Sequence, residues 1–136
     1  MSISSYLSRC LAWVLVIVIG ITGLTACSSP TGLTGNYSQD TLTVVANLRK
    51  AIALDENAAD KTEIQSLARQ QINDYISLYR REPKSSGLRS FTTMQTAMNA
   101  IAGYYTSYGS RPLPEKLKNR LEQEFQQVEL SLKRGT

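Results

Sequence analysis

An all-α fold, an antiparallel up-down-up-down four-helix bundle, is predicted by three features of this 136-residue sequence. Apolar residues recur at helical spacing in four separate segments, and no segment shows the apolar–polar alternation of a strand. The connections between the segments are short and rich in turn-forming residues. Short connections force consecutive helices to run antiparallel, so one core closes most economically as a bundle.

The first helix is predicted over 38–54. Leu42, Val45, Leu48 and Ile52 fall on one stripe with Val44 and Ala51 beside it, and Ser38 or Asp40 can cap its free amides. Asp55 to Ala59 is acidic and turn-like. The second helix, over 60–81, opens on Asp60-Lys61-Thr62-Glu63 with the spacing of a capping box. Its apolar face is Ile64, Leu67, Ala68, Ile72, Tyr75, Ile76 and Tyr79, and Pro83 with Gly87 stops it. The third helix, over 90–108, carries Phe91, Met94, Ala97, Met98, Ile101 and Tyr105 and ends at Gly109. The fourth, over 114–134, begins with Pro114 at the first helical position. It bears the clearest stripe of the chain, Leu113, Leu117, Leu121, Phe125, Val128 and Leu132, and Gly135 closes it.

Ahead of the helices lies a processing signal. One charge, Arg9, precedes an apolar run from Leu11 that continues with few interruptions to Leu24. That is the pattern of a secretory signal, and its uninterrupted core is shorter than the roughly 20 residues that span a bilayer. It ends in Leu24-Thr25-Ala26-Cys27, which resembles the bacterial lipobox. Residues 1–26 are therefore expected to be cleaved and Cys27 to be lipidated, giving stable membrane attachment through two or three acyl chains. The other reading is an uncut anchor with Cys27 an ordinary thiol. Residues 27–37 follow as the lipidated cysteine and a flexible tether, because Ser28 to Asn36 holds a proline, two glycines and many hydroxyls. The bundle then occupies 38–136.

Composition excludes several kinds of chemistry. The chain has no histidine, which removes Ser-His-Asp and Cys-His catalysis and imidazole metal ligands. Its two cysteines supply neither a disulfide framework nor a four-thiolate site. Glu63, Glu115, Glu122, Glu124 and Glu129 fall off the apolar stripes and read as a solvated face rather than a di-metal cluster. The acidic group Asp55, Glu56, Asp60 and Glu63 lacks the spacing and turn glycine of an EF-hand, so it reads as capping and solubilising. Neither a nucleophile elbow, a Ser-x-x-Lys pair nor a phosphate-binding glycine loop is present. The expectation is a protein that is not an enzyme and carries no cofactor.

What remains is surface. The cations Arg80, Arg81, Lys84 and Arg89 belong to one end of the predicted bundle and Arg111 and Lys116 to the other. That split, with a net charge of only +4, argues against a nucleic-acid stripe. The tyrosines Tyr75, Tyr79, Tyr104, Tyr105 and Tyr108 read first as core and core-edge packing, with each hydroxyl at a bundle end, and second as an interaction patch. The third helix carries no charge from Phe91 to Ser110 and is rich in Thr, Gln and Asn. Either that face is buried with its polar groups bonded across to other helices, or it meets a partner. The candidate contact residues are Arg80, Arg81, Thr92, Thr96, Arg111 and Lys116.

Several strings carry a family resemblance. Thr31-Gly32-Leu33-Thr34-Gly35-Asn36-Tyr37, Asn73-Asp74-Tyr75, Tyr79-Arg80-Arg81, Ser90-Phe91-Thr92-Thr93-Met94-Gln95-Thr96-Ala97, Ala102-Gly103-Tyr104-Tyr105 and Arg111-Pro112-Leu113-Pro114 are similar to those of the photosystem II assembly lipoproteins of cyanobacteria. The resemblance extends over the chain after the lipobox. It implies a monomeric, lipid-anchored factor on the lumenal side of the thylakoid membrane. Such a factor binds the photosystem II core transiently, chiefly at the large lumenal loop of the inner antenna chlorophyll protein. There it keeps extrinsic subunits away until the manganese cluster is assembled. The alternative is a cell-envelope lipoprotein holding a small ligand beside Met94, Met98 and the tyrosines, or a metal in the acidic loop.

Overall fold

The computed structural model describes residues 29–136, so the expected signal segment and Cys27 lie outside the described residues. Within them all regular structure is helical: α1 (Tyr37–Ala53), α2 (Lys61–Tyr79), the single turn α3 (Pro83–Ser86), α4 (Arg89–Tyr108) and α5 (Glu115–Arg134). The four long helices are those predicted, with ends moved by one or two residues. α3 is additional. Pro83 does stop the preceding helix, but its fixed φ and missing N–H also suit the first turn of a new one.

α1 packs chiefly on α2 and α4 chiefly on α5, with lesser contacts of α1 with α5 and of α2 with α4. Bonds between the elements show which ends lie together. The Thr41 and Tyr75 hydroxyls pair at 2.7 Å, and Asn47 donates to Gln71 at 3.1 Å, so the start of α1 lies against the end of α2. The Ser90 N–H donates to the Thr136 carbonyl at 3.3 Å, and the Tyr37 and Ser90 hydroxyls pair at 2.8 Å. The starts of α1 and α4, the ends of α2 and α5, and α3 therefore gather at one end of the molecule.

The core contains Val45, Leu48 and Ile52 of α1, Ala68, Ile72 and Tyr75 of α2, every predicted stripe residue of α4, and Leu121, Phe125 and Val128 of α5. Three assignments change. Leu67, expected on the apolar face of α2, is only half-buried and stands outside the core cluster. Leu42 is 47% exposed, and the buried α1 position beside it is Thr41, whose hydroxyl is consumed by Tyr75 and by the Tyr37 carbonyl at 2.6 Å. Gln65 and Gln71 are buried on α2 among the apolar residues. Gln71 is satisfied there, accepting from Asn47 and donating to the Thr31 carbonyl at 2.9 Å. A buried amide is tolerated only when its bonds are made in this way.

The helix ends also differ in detail. Asn36, rather than Ser38 or Asp40, caps α1, its side chain accepting from the Gln39 N–H at 3.1 Å. Asp60 stands at the start of α2 with φ −98° and ψ 10°, away from the extended backbone a capping box uses, and its side chain makes no cap bond. Pro114 precedes α5 as its cap, with ψ 145°, and Glu115 is the first helical residue. α5 ends as expected at Gly135 (φ 72°). There Gly135 N–H donates to Leu132 and Thr136 N–H to Ser131, at 3.1 and 2.9 Å, the paired bonds of a Schellman motif.

The largest departure concerns the stretch read as a flexible tether. Thr31 and Leu33 are buried, and the Thr31 hydroxyl donates to Asp74 at 2.7 Å. The Asp40 carboxylate, 0% exposed, gathers the rest. Its Oδ1 accepts from the Thr34 N–H and hydroxyl, both at 2.8 Å. Its Oδ2 accepts from the Gly35 N–H at 2.9 Å and from the Tyr79 hydroxyl at 2.5 Å. Small polar residues gain order when a buried acceptor takes their donors, and composition does not reveal that acceptor. Burial pushes the Asp40 carboxyl up, but the bonds from Tyr79, Thr34 and Gly35 outweigh it and hold it below its ordinary value. Burial pushes the Tyr79 hydroxyl up, and the bond to Asp40 adds to this. Burial likewise pushes Tyr75 up.

A second fastening joins α1 to α5. Arg49 donates from Nε and Nη2 to Glu122 at 2.9 and 2.8 Å and from Nη1 to Glu129 at 2.6 Å, with its guanidinium 5.7 Å from the Phe125 ring centre. Glu122, Glu124 and Glu129 were expected to be solvated. All three are half-buried, and two of them serve this bridge.

Three outcomes follow for stability. Asp40→Asn places an NH2 group against donors on whichever oxygen it replaces. It should cost about 2–3 kcal/mol in denaturant melts and lower Tm by about 10 °C or more. The lowered Asp40 value stabilises the fold fully above the unfolded carboxyl value of about 4, and this is lost as pH falls through the folded value. The raised tyrosine values stabilise it fully below about 10 and are lost as pH rises further. Tm should thus be flat between those limits, fall on both sides, and lose much of its acid limb in Asp40→Asn. Arg49→Lys keeps the charge but not the fork, and should cost about 1 kcal/mol in the same melts, the site being partly exposed.

Candidate interaction surface

α4 holds the surface that the sequence left undecided. Its inward positions are fixed by the 3.6-residue repeat of Phe91, Met94, Ala97, Met98, Ile101 and Tyr105, all buried. The opposite face therefore displays Thr92, Thr96, Asn99, Gly103 and Thr106, all exposed and spaced four, three, four and three. Its polar groups do not bond across to other helices. Thr92, Thr96 and Thr106 each donate to the carbonyl four residues back, at 3.2, 3.0 and 2.8 Å. With those donors folded onto the helix, the face is smooth, weakly polar and uncharged. The reading in which this face is buried against the other helices is thereby overturned.

Gly103 sharpens this picture. A glycine inside a helix costs up to about 1 kcal/mol relative to alanine. A Cβ added there would meet nothing within 4 Å, so no packing within the fold requires its absence.

The six candidate contact residues are all exposed, and the structure does not bring them to one place. Thr92 and Thr96 lie on the α4 face. Arg111, in the loop after α4, and Lys116, in the first turn of α5, belong to the end where Thr106 lies. Arg80 and Arg81 follow α2 at the other end, beside the start of α4. Sequence reasoning missed Lys133 and Arg134, which the Ser90–Thr136 bond brings to that same end. Only the position of the end of α5 beside the start of α4 could have signalled them.

The tyrosines divide. Tyr75, Tyr79 and Tyr105 are buried, and Tyr37, Tyr75, Tyr79 and Phe91 form one aromatic cluster, with the Tyr75 and Tyr79 rings 5.0 Å apart. The Tyr75 and Tyr79 hydroxyls serve Thr41 and Asp40 at the end where α1 begins, whereas Tyr104 donates to the Pro112 carbonyl at 2.8 Å in the loop after α4. Tyr108 is 56% exposed and packs on Tyr104, their ring centres 4.9 Å apart. The Tyr105 hydroxyl is buried without a hydrogen-bond partner, and burial pushes its pKa up. Arg69 lies 5.1 Å over its ring, in a 370 Å³ groove that Ile72, Asn73, Ala102 and Thr106 also line.

Met94 and Met98 are wholly buried within the common core, packed as ordinary core residues. Among the described residues, no group of three or more Asp, Glu, Cys or His side chains is placed to hold a metal ion. None of the described helices is long and apolar enough to cross a membrane.

Comparison with known proteins places this architecture. The family model described as Photosystem II Pbs27 matches residues 7–132. The chain is 63% identical over 133 residues to the photosystem II lipoprotein Psb27 of Synechocystis sp. (strain ATCC 27184 / PCC 6803 / Kazusa), covering 98% of this chain and 97% of the relative. It is 58% identical over 112 residues to the photosystem II assembly factor lipoprotein Psb27 of Thermosynechococcus vestitus (strain NIES-2133 / IAM M-273 / BP-1), covering 82% and 84%. The solution structure of Psb27 from cyanobacterial photosystem II superimposes with a TM-score of 0.74 at 65% identity, covering 83% of this chain and 98% of that one. The helices, the core they share and the matching sequence agree: this chain belongs to the Photosystem II Pbs27 family.

Proposed function

We propose that the protein is a non-enzymatic assembly and repair factor that binds the lumenal side of immature photosystem II transiently. It docks on the large lumenal loop of the inner antenna protein and excludes extrinsic subunits until the manganese cluster is assembled. The observation that carries this reading is the near full-length identity to a photosystem II lipoprotein. The absence of histidine throughout the chain is consistent with it, since such a factor works beside a metal site without offering imidazole ligands. Residues 1–26 act as the signal peptide, Cys27 carries the lipid, and 38–136 form an up-down-up-down antiparallel bundle. The end-to-end pairing of α1 with α2 and of α4 with α5 supports that topology.

The uncharged face of α4 is the contact surface, with Arg111 and Lys116 at its end. Loss of charge lowers the desolvation cost of docking, and the gap at Gly103 lets a partner backbone come close. The alternative, a ligand held within the bundle, gains no support from the filled core around Met94 and Met98.

Affinity purification from thylakoids should recover photosystem II core subunits in their monomeric, oxygen-inactive form, and recovery of none would sink the reading. Gly103→Ala should raise stability by about 0.5–1 kcal/mol. Gly103→Arg should fold equally well by circular dichroism yet lose most of the recovered photosystem II, and undiminished recovery would remove α4 from the interface. Cys27→Ala should abolish stable membrane retention, because the acyl chains supply it.

A further inference from the structure

We infer that the end of the molecule beside the departing N-terminal segment faces the bilayer and is built to rest on anionic lipid headgroups. This rests on the reading of Cys27 as the lipid anchor and adds an orientation to it. The first observation is how charge divides between the two ends. Arg80, Arg81, Lys84, Arg89, Lys133 and Arg134 are exposed where α2 and α5 end and α3 and α4 begin, and the acidic side chains beside them are the half-buried Glu82 and, one turn before Lys133, Glu129, which Arg49 engages. None of the six enters a salt bridge among the described residues. Asp40 and Asp74, on the same side, are held by hydrogen bonds from Tyr79, Thr34, Gly35 and Thr31, and the six cations outnumber the carboxylates at this end. The opposite end mixes its cations with Asp55, Glu56, Asp60 and Glu115, so no field of one sign forms there.

The second observation is where the chain leaves the fold. Ser29 shares a groove with Asp74, Ser77 and Leu78, beside the last two turns of α2. The chain from there to Cys27 is two residues long, a reach of roughly 7 Å at full extension. An acyl chain on Cys27 would thus hold this part of the protein at headgroup level. Leu78 is exposed beside the exit, an apolar side chain suited to the interface. The far end lies about 28 Å away along α2, beyond the roughly 8–10 Å over which salt screens charge. Lipid anchors commonly work with a basic patch as their second signal. Each Lys or Arg near an anionic surface adds roughly fivefold to partition. The short leash selects lipid over an acidic protein as the partner of this end. It also assigns Arg80 and Arg81 to the membrane, leaving α4, Arg111 and Lys116 to face the photosystem.

The test uses the full chain, expressed with its own N-terminal segment, purified from membranes and reconstituted into vesicles of phosphatidylcholine with or without phosphatidylglycerol. A fluorophore is placed at Gly87→Cys, where an added Cβ meets nothing within 4 Å, or at Asn57→Cys in the opposite loop. Intact mass spectrometry reads acylation of Cys27 on the same samples. With phosphatidylglycerol present, nitroxide-bearing lipids should quench position 87 at least about threefold more than position 57. The Arg80→Glu/Arg81→Glu/Lys84→Glu variant, still acylated and still floating with vesicles, should lose that difference. Equal quenching of both positions on acylated wild-type protein overturns the orientation and leaves the anchor standing. Protein that is unacylated and does not float overturns the anchor reading and this inference together. A charge-reversal variant that keeps its quenching difference but no longer co-purifies with photosystem II would assign this end to an acidic protein surface and overturn the inference.

Discussion

The buried carboxylate of Asp40 is the constraint on which the arrangement of one whole end depends. It takes two donors from Thr34, one from Gly35 and one from Tyr79, and so ties the pre-helical segment, the first turn of α1 and the end of α2 at a single point. Burying a charge costs several kcal/mol unless its lone pairs are filled, and here four donors fill them. Neighbouring bonds extend the same knot. Thr41 meets Tyr75, Tyr37 meets Ser90 at the start of α4, and the Ser90 N–H meets Thr136 at the end of α5. All four long helices are thereby registered at this end, while the other end is held by apolar packing and by the Arg49 bridge.

That asymmetry bears on how the surface is divided. Docking the N-terminal segment makes the point where the chain leaves the fold a defined place, and basic residues gather beside it. The face of α4 has the opposite character, with its hydroxyls turned back onto their own helix and no charge from Phe91 to Tyr108. One region is suited to a charged, fluid surface and the other to close approach by a protein. On the proposed function, a factor that sits on a membrane and releases its partner has use for both, since neither region is the large apolar interface of a permanent complex.

The helices of this protein were legible because their apolar repeats are strong. α4 and α5 presented nearly all their buried residues as a plain stripe, and the structure moved only their first residues. Leu42 was misplaced because Val44, Val45 and Leu48 are compatible with either of two adjoining stripes. Gln65, Gln71 and Thr41 were invisible for a different reason: a polar residue enters a core only when its partners lie elsewhere in the chain, as Thr31, Asn47 and Tyr75 do. The six candidate contact residues could be named from charge and polarity, but their distribution over two ends and one face could not be weighed without Lys133 and Arg134.

Sequence by itself determined the four long helices, the inward face of α4 and α5, the missing imidazole chemistry and the family resemblance, because each of these depends on local spacing or on residue type. Only the tertiary structure decided that residues 31–35 are docked, that Asp40 is their acceptor rather than a helix cap, and that the uncharged face of α4 is open. The physical reason is the same in each case. A hydrogen bond between Asp40 and Tyr79, 39 positions apart, leaves no periodic trace in either segment, and whether a polar face is covered depends on the other helices that pack beside it.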